Sequence, residues 1–378
     1  MQAPPVTLGQ LTGLRFVAAF AVLLSHLEFL AAEPGSRAAW LYETVLRQGY
    51  CGVSFFYVLS GFILSQAYGD RLADGALRLR TYFLLRICRI APLHWIMALL
   101  FAGWLAVSAG GMPGGGTIAL NLALLHAWVP DPDVHYSLNG PSWSLSDEMF
   151  FYAAFPWLCR VRGRRLAWGL ACGVLLIAAL AAVSLAGPGG YSPQAEWLFY
   201  VAPPVRLVDF VAGMLLHRIW RAGSARRLGG TGAELGAALA IPAAMLGFSL
   251  LAVPMEVRWQ LAWLPLMALA VLVFAQGTGA LSHLLRGRWP MLLGEASFAL
   301  YLTHRPLVTL ASRLWTGDPV LLALALPPVC IGISIAVFLL FERPLLRRLQ
   351  AGAWAYDRRK GGLKAWLLSW SRPGAAPS

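Results

Sequence analysis

The sequence predicts an all-α polytopic membrane protein: a bundle of about ten transmembrane helices plus one re-entrant or interfacial segment. Three observations carry this. Hydrophobic residues make up 58% of the 378 and charged residues only 12%, with a mean hydropathy of +0.64, whereas a soluble domain carries about a quarter charged residues. Apolar runs of membrane-crossing length recur along the whole chain. The basic residues alternate by side between the intervening loops, as they do when cytoplasmic loops retain Lys and Arg. The net charge of +13 is thereby an orientation signal, and no nucleic-acid partner is needed to explain it.

Taken in order, the spans are expected at residues 11–31, 51–68, 91–110, 143–159, 166–186, 201–219, 232–252, 259–276, 292–314 and 320–341, each near the ~20 residues that cross a hydrocarbon core. The piece from Ile118 to Val129 is too short to cross and ends at Pro130-Asp131-Pro132. It is the re-entrant or interfacial segment, and with Asn139, Gly140 and Pro141 it makes the longest loop between spans. With the N-terminus inside, 23 of the 30 Lys and Arg residues fall in inner loops or the tail, against Arg37, Arg47 and Arg258 outside. Both termini are thus expected in the cytoplasm and the protein in the cytoplasmic (inner) membrane. Residues 1–345 read as the membrane domain and 346–378 as a basic cytoplasmic tail, whose interleaved Trp354, Tyr356 and Trp366 suit an interface anchor. No basic stretch precedes the first apolar run, so no cleaved signal peptide is expected. The five cysteines lack paired ligand spacing and read as free thiols, with no metal.

Charged residues inside spans are costly and therefore informative. Arg15 and His26 lie in the first span, eleven residues apart; at about 100° per residue they share one helix face, roughly 16 Å apart. Either alone is as readily a snorkelling or structural group. Counted from the outer ends of their spans, His26 and Glu148 lie at matching depth, about 8 Å in. A carboxylate beside an imidazole orients it and raises its basicity, as a general base requires. Asp147, next to Glu148, has the simpler alternative of capping a helix start. On the inner side Arg86 and Arg89 stand three apart before Pro92, read as a basic cluster leading into a helix whose first turn tolerates proline. Two guanidinium forks on one side make a clamp for a phosphate or pyrophosphate. An anionic cytoplasmic ligand held there needs an arm of about 15–20 Å to reach His26, which the pantetheine arm of coenzyme A supplies.

These residues resemble the acyltransferase-3 family of integral membrane O-acyltransferases over nearly the whole chain. The resemblance rests on Arg15 with His26, the run Gly52-Val53-Ser54-Phe55-Phe56-Tyr57-Val58-Leu59-Ser60-Gly61-Phe62, Arg86 and Arg89 before Pro92 and Trp95, and Trp143-Ser144-Leu145-Ser146-Asp147-Glu148. Arg206 with Asp209, Gly294 to Tyr301 with His304 and Pro306, and Glu342 before Pro344 extend it. It implies acyl-CoA, commonly acetyl-CoA, as a cytoplasmic donor, and a hydroxyl acceptor such as a surface glycan or lipid-linked sugar approaching from outside. It also implies functional roles for Arg15 and His26. His26 is then the general base or an acyl relay, with Glu148 as its partner. Arg15, Arg86 and Arg89 hold the donor, and Trp143, Ser146, Asp147, His126, Tyr301 and His304 are candidate acceptor contacts. A homo-oligomer is left open. The family's additional extracytoplasmic domain is not expected here.

His126 and Asp131 have the H-x4-D spacing of glycerolipid acyltransferases, but Pro130 disturbs it and no phosphate motif follows, so coincidence is the better account. Arg206 and Asp209, three apart, are expected to neutralise each other. A transporter or flippase for an anionic or sugar-lipid substrate is the competing class, with the intramembrane charges lining a path. Internal repeats, frequent in transporters, are not evident.

Overall fold

The computed structural model describes residues 8–107, 111–187 and 192–358, with side chains through Trp354. Helices cover every apolar run: α1 Gly9–Ser25, α2 Gly52–Leu64, α3 Leu79–Val107, α4 Trp143–Leu158, α5 Gly163–Ala186, α6 Pro203–Arg221, α7 Thr231–Leu250, α8 Leu264–Gln276, α9 Ser297–Leu314 and α10 Pro319–Val337, followed by α11 Arg343–Arg358. Among the described residues, six helical stretches are long and apolar enough to cross a membrane. α1 and α8 are apolar but shorter, at 17 and 13 residues. Among the described residues the fold is all-helical, with about six helical stretches that could span a membrane. Of the tail, residues 359–378, including Lys364 and Trp366, lie outside the described residues.

The bundle has a centre and a rim. About 61% of the apolar window is buried in the stretches containing α2 and α6, against 11% in α5. Leu175, Leu176 and Val183 on α5 face outward, as lipid contact requires. At the centre α2 and α6 cross on two glycines: a Cβ on Gly61 would strike the Phe210 carbonyl, and one on Gly213 the Val58 carbonyl. Small residues at such a crossing let helix backbones approach where no hydrophobic drive separates helix from lipid. α1 is seated in the same way, with Gly13 against Leu285 and Gly294 against Thr12.

Two helix boundaries depart from expectation and move the site. α1 ends at Ser25, with His26 as its C-cap, and a 3-10 turn Glu28–Ala31 follows. Side chains close this end. Ser25 Oγ donates to the Val22 carbonyl at 2.7 Å, and Tyr42 Oη donates to the Ser25 carbonyl at 2.9 Å. These bonds satisfy carbonyls that the helix leaves open. α3 starts at Leu79 and runs through Pro92, so Arg86 and Arg89 sit on a helix and not in a loop, and Pro92 is an interior residue and not a first-turn one. The expected short segment folds as a helix Gly115–Leu122 and a 3-10 turn His126–Trp128, followed by one turn Pro132–His135.

Candidate active site

A cavity of about 160 Å³ opens between α1, α2, α3, α4 and α9, walled by Arg15, Arg86, Arg89, Glu148, Tyr152, Ser144 and Tyr301, with Tyr57, Ser60 and Ser297 among the other polar residues. The three arginines named from the sequence thus converge on one space. Arg15, half-buried, has no hydrogen bond among the described residues, and Arg89, Glu342 and Glu148 lie within electrostatic reach of it. Arg86 donates from Nη2 to Tyr68 Oη at 2.7 Å and lies 4.7 Å over that ring. Arg89 is paired with Glu342, Nη1 to Oε1 at 2.5 Å, and lies 5.1 Å over Phe298. Glu342 ends a π-helical turn, Phe338–Glu342, between α10 and α11; such turns recur at functional sites.

Glu148 is in the cavity and not at His26. It accepts from Tyr152 Oη at 2.9 Å and faces Arg15, at the depth of the arginines. The expected pairing fails for a geometric reason. A buried 3-10 turn, Gly140–Ser142, leads into α4, so that Trp143 through Asp147 are all buried and the helix starts inside the fold. Depth counted from an outer surface therefore does not apply to Glu148. Asp147 caps nothing: wholly buried, it accepts from Tyr57 Oη at 2.7 Å. Trp143 packs its ring 4.8 Å from Tyr200, and Ser146 is buried with its hydroxyl unpartnered. None of Trp143, Ser146 and Asp147 reaches the cavity wall.

His26 is beyond the cavity, next to His304 of α9. His26 Nδ1 is 2.8 Å from the Val22 carbonyl and 3.3 Å from His304 Nε2. The cavity ends short of this pair at Phe56, Ser144 and Tyr301. Tyr301 Oη and Ser144 Oγ are 2.8 Å apart, and both bond the Pro141 carbonyl, at 3.1 and 3.0 Å. Tyr301 and His304 are one helical turn apart, their rings 6.0 Å apart. Neither His26 nor His304 lines the cavity that holds Arg15, Arg86 and Arg89; Tyr301, on its wall, is the lining residue whose ring lies beside His304. His126 is buried elsewhere, 3.3 Å from Ser142 Oγ and stacked on His94. Asp131 Oδ1 accepts from Asp133 N, capping the next turn, so the H-x4-D spacing makes no His–Asp pair.

Arg206 and Asp209 neutralise each other at 3.2 Å, both with no exposure. Arg206 also donates to Ser54 Oγ at 2.8 Å and lies 5.1 Å over the Tyr57 ring, which joins this buried pair to Asp147. Among the described residues no cluster of His, Cys, Asp and Glu is arranged to hold a metal. Sequence reasoning passed over Tyr57, Ser60, Ser144 and Tyr152 as site residues. Three of them stand inside runs already singled out, but neither helix periodicity nor charge distinguishes a hydroxyl facing a cavity from one facing a neighbour.

Residues 8–342 match the model of an acyltransferase domain, that of the acyltransferase-3 family. The chain belongs to the acyltransferase-3 family. It is a membrane acyltransferase, which sets the transporter alternative aside. It is 33% identical over 339 residues to Acyltransferase MdmB of Streptomyces mycarofaciens, covering 83% of each chain. It is 29% identical over 317 residues to Exopolysaccharide production protein ExoZ of Rhizobium meliloti (strain 1021), covering 80% of this chain and 91% of that one. No solved structure matches. An acyl donor and an acceptor follow from the family.

Proposed function

We propose that this acyltransferase moves an acyl group, acetyl in the simplest case, from cytoplasmic acyl-CoA to a hydroxyl of an extracytoplasmic or membrane-borne acceptor. The observation that carries this is the convergence of Arg15, Arg86 and Arg89 on one cavity. Guanidinium forks match phosphate oxygens, so Arg86 and Arg89 would hold the phosphates of the nucleotide. A space of about 160 Å³ suits the thin pantetheine arm, which passes Arg15 towards Ser144 and Tyr301. A glycan acceptor is supported by the exopolysaccharide role in the name of ExoZ. Ten crossings with both termini in the cytoplasm, residues 1–345 as the catalytic domain and a location in the inner membrane are proposed from the loop charges.

Chemistry then falls to His26. The carbonyl of Val22 only accepts, so Nδ1 carries the proton and Nε2 the lone pair. His26 Nε2 takes the acceptor hydroxyl's proton as the oxygen bonds to the thioester carbonyl carbon. It returns that proton to the sulfur as the C–S bond breaks, leaving an ester and coenzyme A. Rotation of Tyr301 joins the donor cavity to this nitrogen. In sealed vesicles of known orientation, labelled acetyl-CoA supplied only at the cytoplasmic face should yield acylated product from acceptor confined to the other face. Product only when both share the cytoplasmic compartment would overturn the through-membrane reaction.

A further inference from the structure

We infer that His304 is the positioning residue for His26, holding the catalytic imidazole through a histidine–histidine hydrogen bond in place of the carboxylate such a base usually leans on. The inference rests on the proposed role of His26 as base. His304 Nδ1 is 3.0 Å from the Leu300 carbonyl, which only accepts, so that nitrogen carries the proton and Nε2 is an acceptor. His304 Nε2 lies 3.3 Å from His26 Nδ1, with the rings edge to face at 4.9 Å. The two assignments agree: the proton on His26 Nδ1 is shared between the Val22 carbonyl and His304 Nε2. Each ring is thereby tied to the carbonyl four residues back on its own helix and to the other ring. Among the described residues nothing bonds His26 Nε2, so the basic nitrogen is left for substrate.

When His26 takes a proton at Nε2, its Nδ1–H becomes a charged donor, and a charge-assisted bond to His304 Nε2 is stronger than the neutral one it replaces. His304, fully buried, thus stabilises the imidazolium without bringing a permanent negative charge next to the departing thiolate. The other charged and titratable groups around His26 do not take this part. Arg305 on α9 is paired with Glu28 at 3.0 Å, and Tyr42 is bonded to the Ser25 carbonyl.

The test uses inverted membrane vesicles of the native host, which carry the natural acceptor, with [14C]acetyl-CoA as the probe and label outside coenzyme A as the readout. His304→Leu should lower kcat at least tenfold, leave KM for acetyl-CoA unchanged, and move the acidic limb of the pH–rate profile to lower pH, because the imidazolium has lost a stabilising acceptor. His304→Gln, whose Oε1 can stand in for Nε2, should restore most of kcat and the limb. If His26→Ala stays active, the proposed base is wrong. If His26→Ala is inactive while His304→Leu keeps the parent kcat and pH limb, or if His304→Gln rescues nothing, the inference is overturned while the base stands. Should the leucine variant fail to fold, 15N spectra of histidine-labelled parent protein decide: both His26 and His304 should be neutral and protonated at Nδ1. An Nε2-protonated ring at either position refutes the pair.

Discussion

The Arg89–Glu342 pair makes a sharp prediction about donor binding. Arg89 is 21% exposed and Glu342 5%, and the second carboxylate oxygen of Glu342 is buried without a partner, so Glu342 depends on Arg89 for compensation. Arg89→Ala leaves that carboxylate without its ion-pair partner. Breaking a fully buried pair costs about 3–5 kcal/mol; with Arg89 partly solvated, about 1–3 kcal/mol of stability should be lost. Affinity for coenzyme A should fall further, since one charge-assisted contact is worth about 1.5–3 kcal/mol, roughly ten- to a hundredfold, and the bare carboxylate also repels phosphate. Arg89→Ala with Glu342→Gln should recover the stability to within about 1 kcal/mol but only part of the affinity. Thermal unfolding and calorimetric titration with coenzyme A, both in detergent, read the two quantities separately. Arg71→Ala is the control, because its guanidinium stacks on Trp354 at 5.1 Å and is not on the cavity wall. Equal loss of affinity at Arg71, or unchanged affinity in Arg89→Ala, would refute the donor clamp.

Two further predictions follow from the placement of the other residues. Glu148→Gln should raise affinity for coenzyme A several-fold, by removing a negative charge from among the arginines, and should leave the acidic limb of the pH–rate profile in place; a moved limb in the kinetics would show that Glu148 does act on His26. Gly213→Ala places a methyl against the Val58 carbonyl and should cost about 1–3 kcal/mol, read as a lower Tm in detergent; an unchanged Tm would mean that the α2–α6 crossing has slack.

Arg15 lies in α1 and His26 caps its end, and a regular helix of known rise and twist puts positions eleven apart on one face about 16 Å from each other whatever surrounds it. The spacing of Arg86 and Arg89 is local in the same way, and so is the mutual neutralisation of Arg206 and Asp209. Membrane character follows from composition, because unsatisfied charge and backbone are costly in hydrocarbon wherever they occur. The pairings that make the site are of another kind. His26 meets His304 across 278 positions and Arg89 meets Glu342 across 253, while Glu148 sits with Arg15 because α4 begins inside the fold. Each depends on where separate helices cross and on how far one slides along another. That is decided by contacts such as Gly61 on Phe210 and Gly294 on Thr12, which only the packed bundle brings together; periodicity along a single helix carries no record of its neighbour's register.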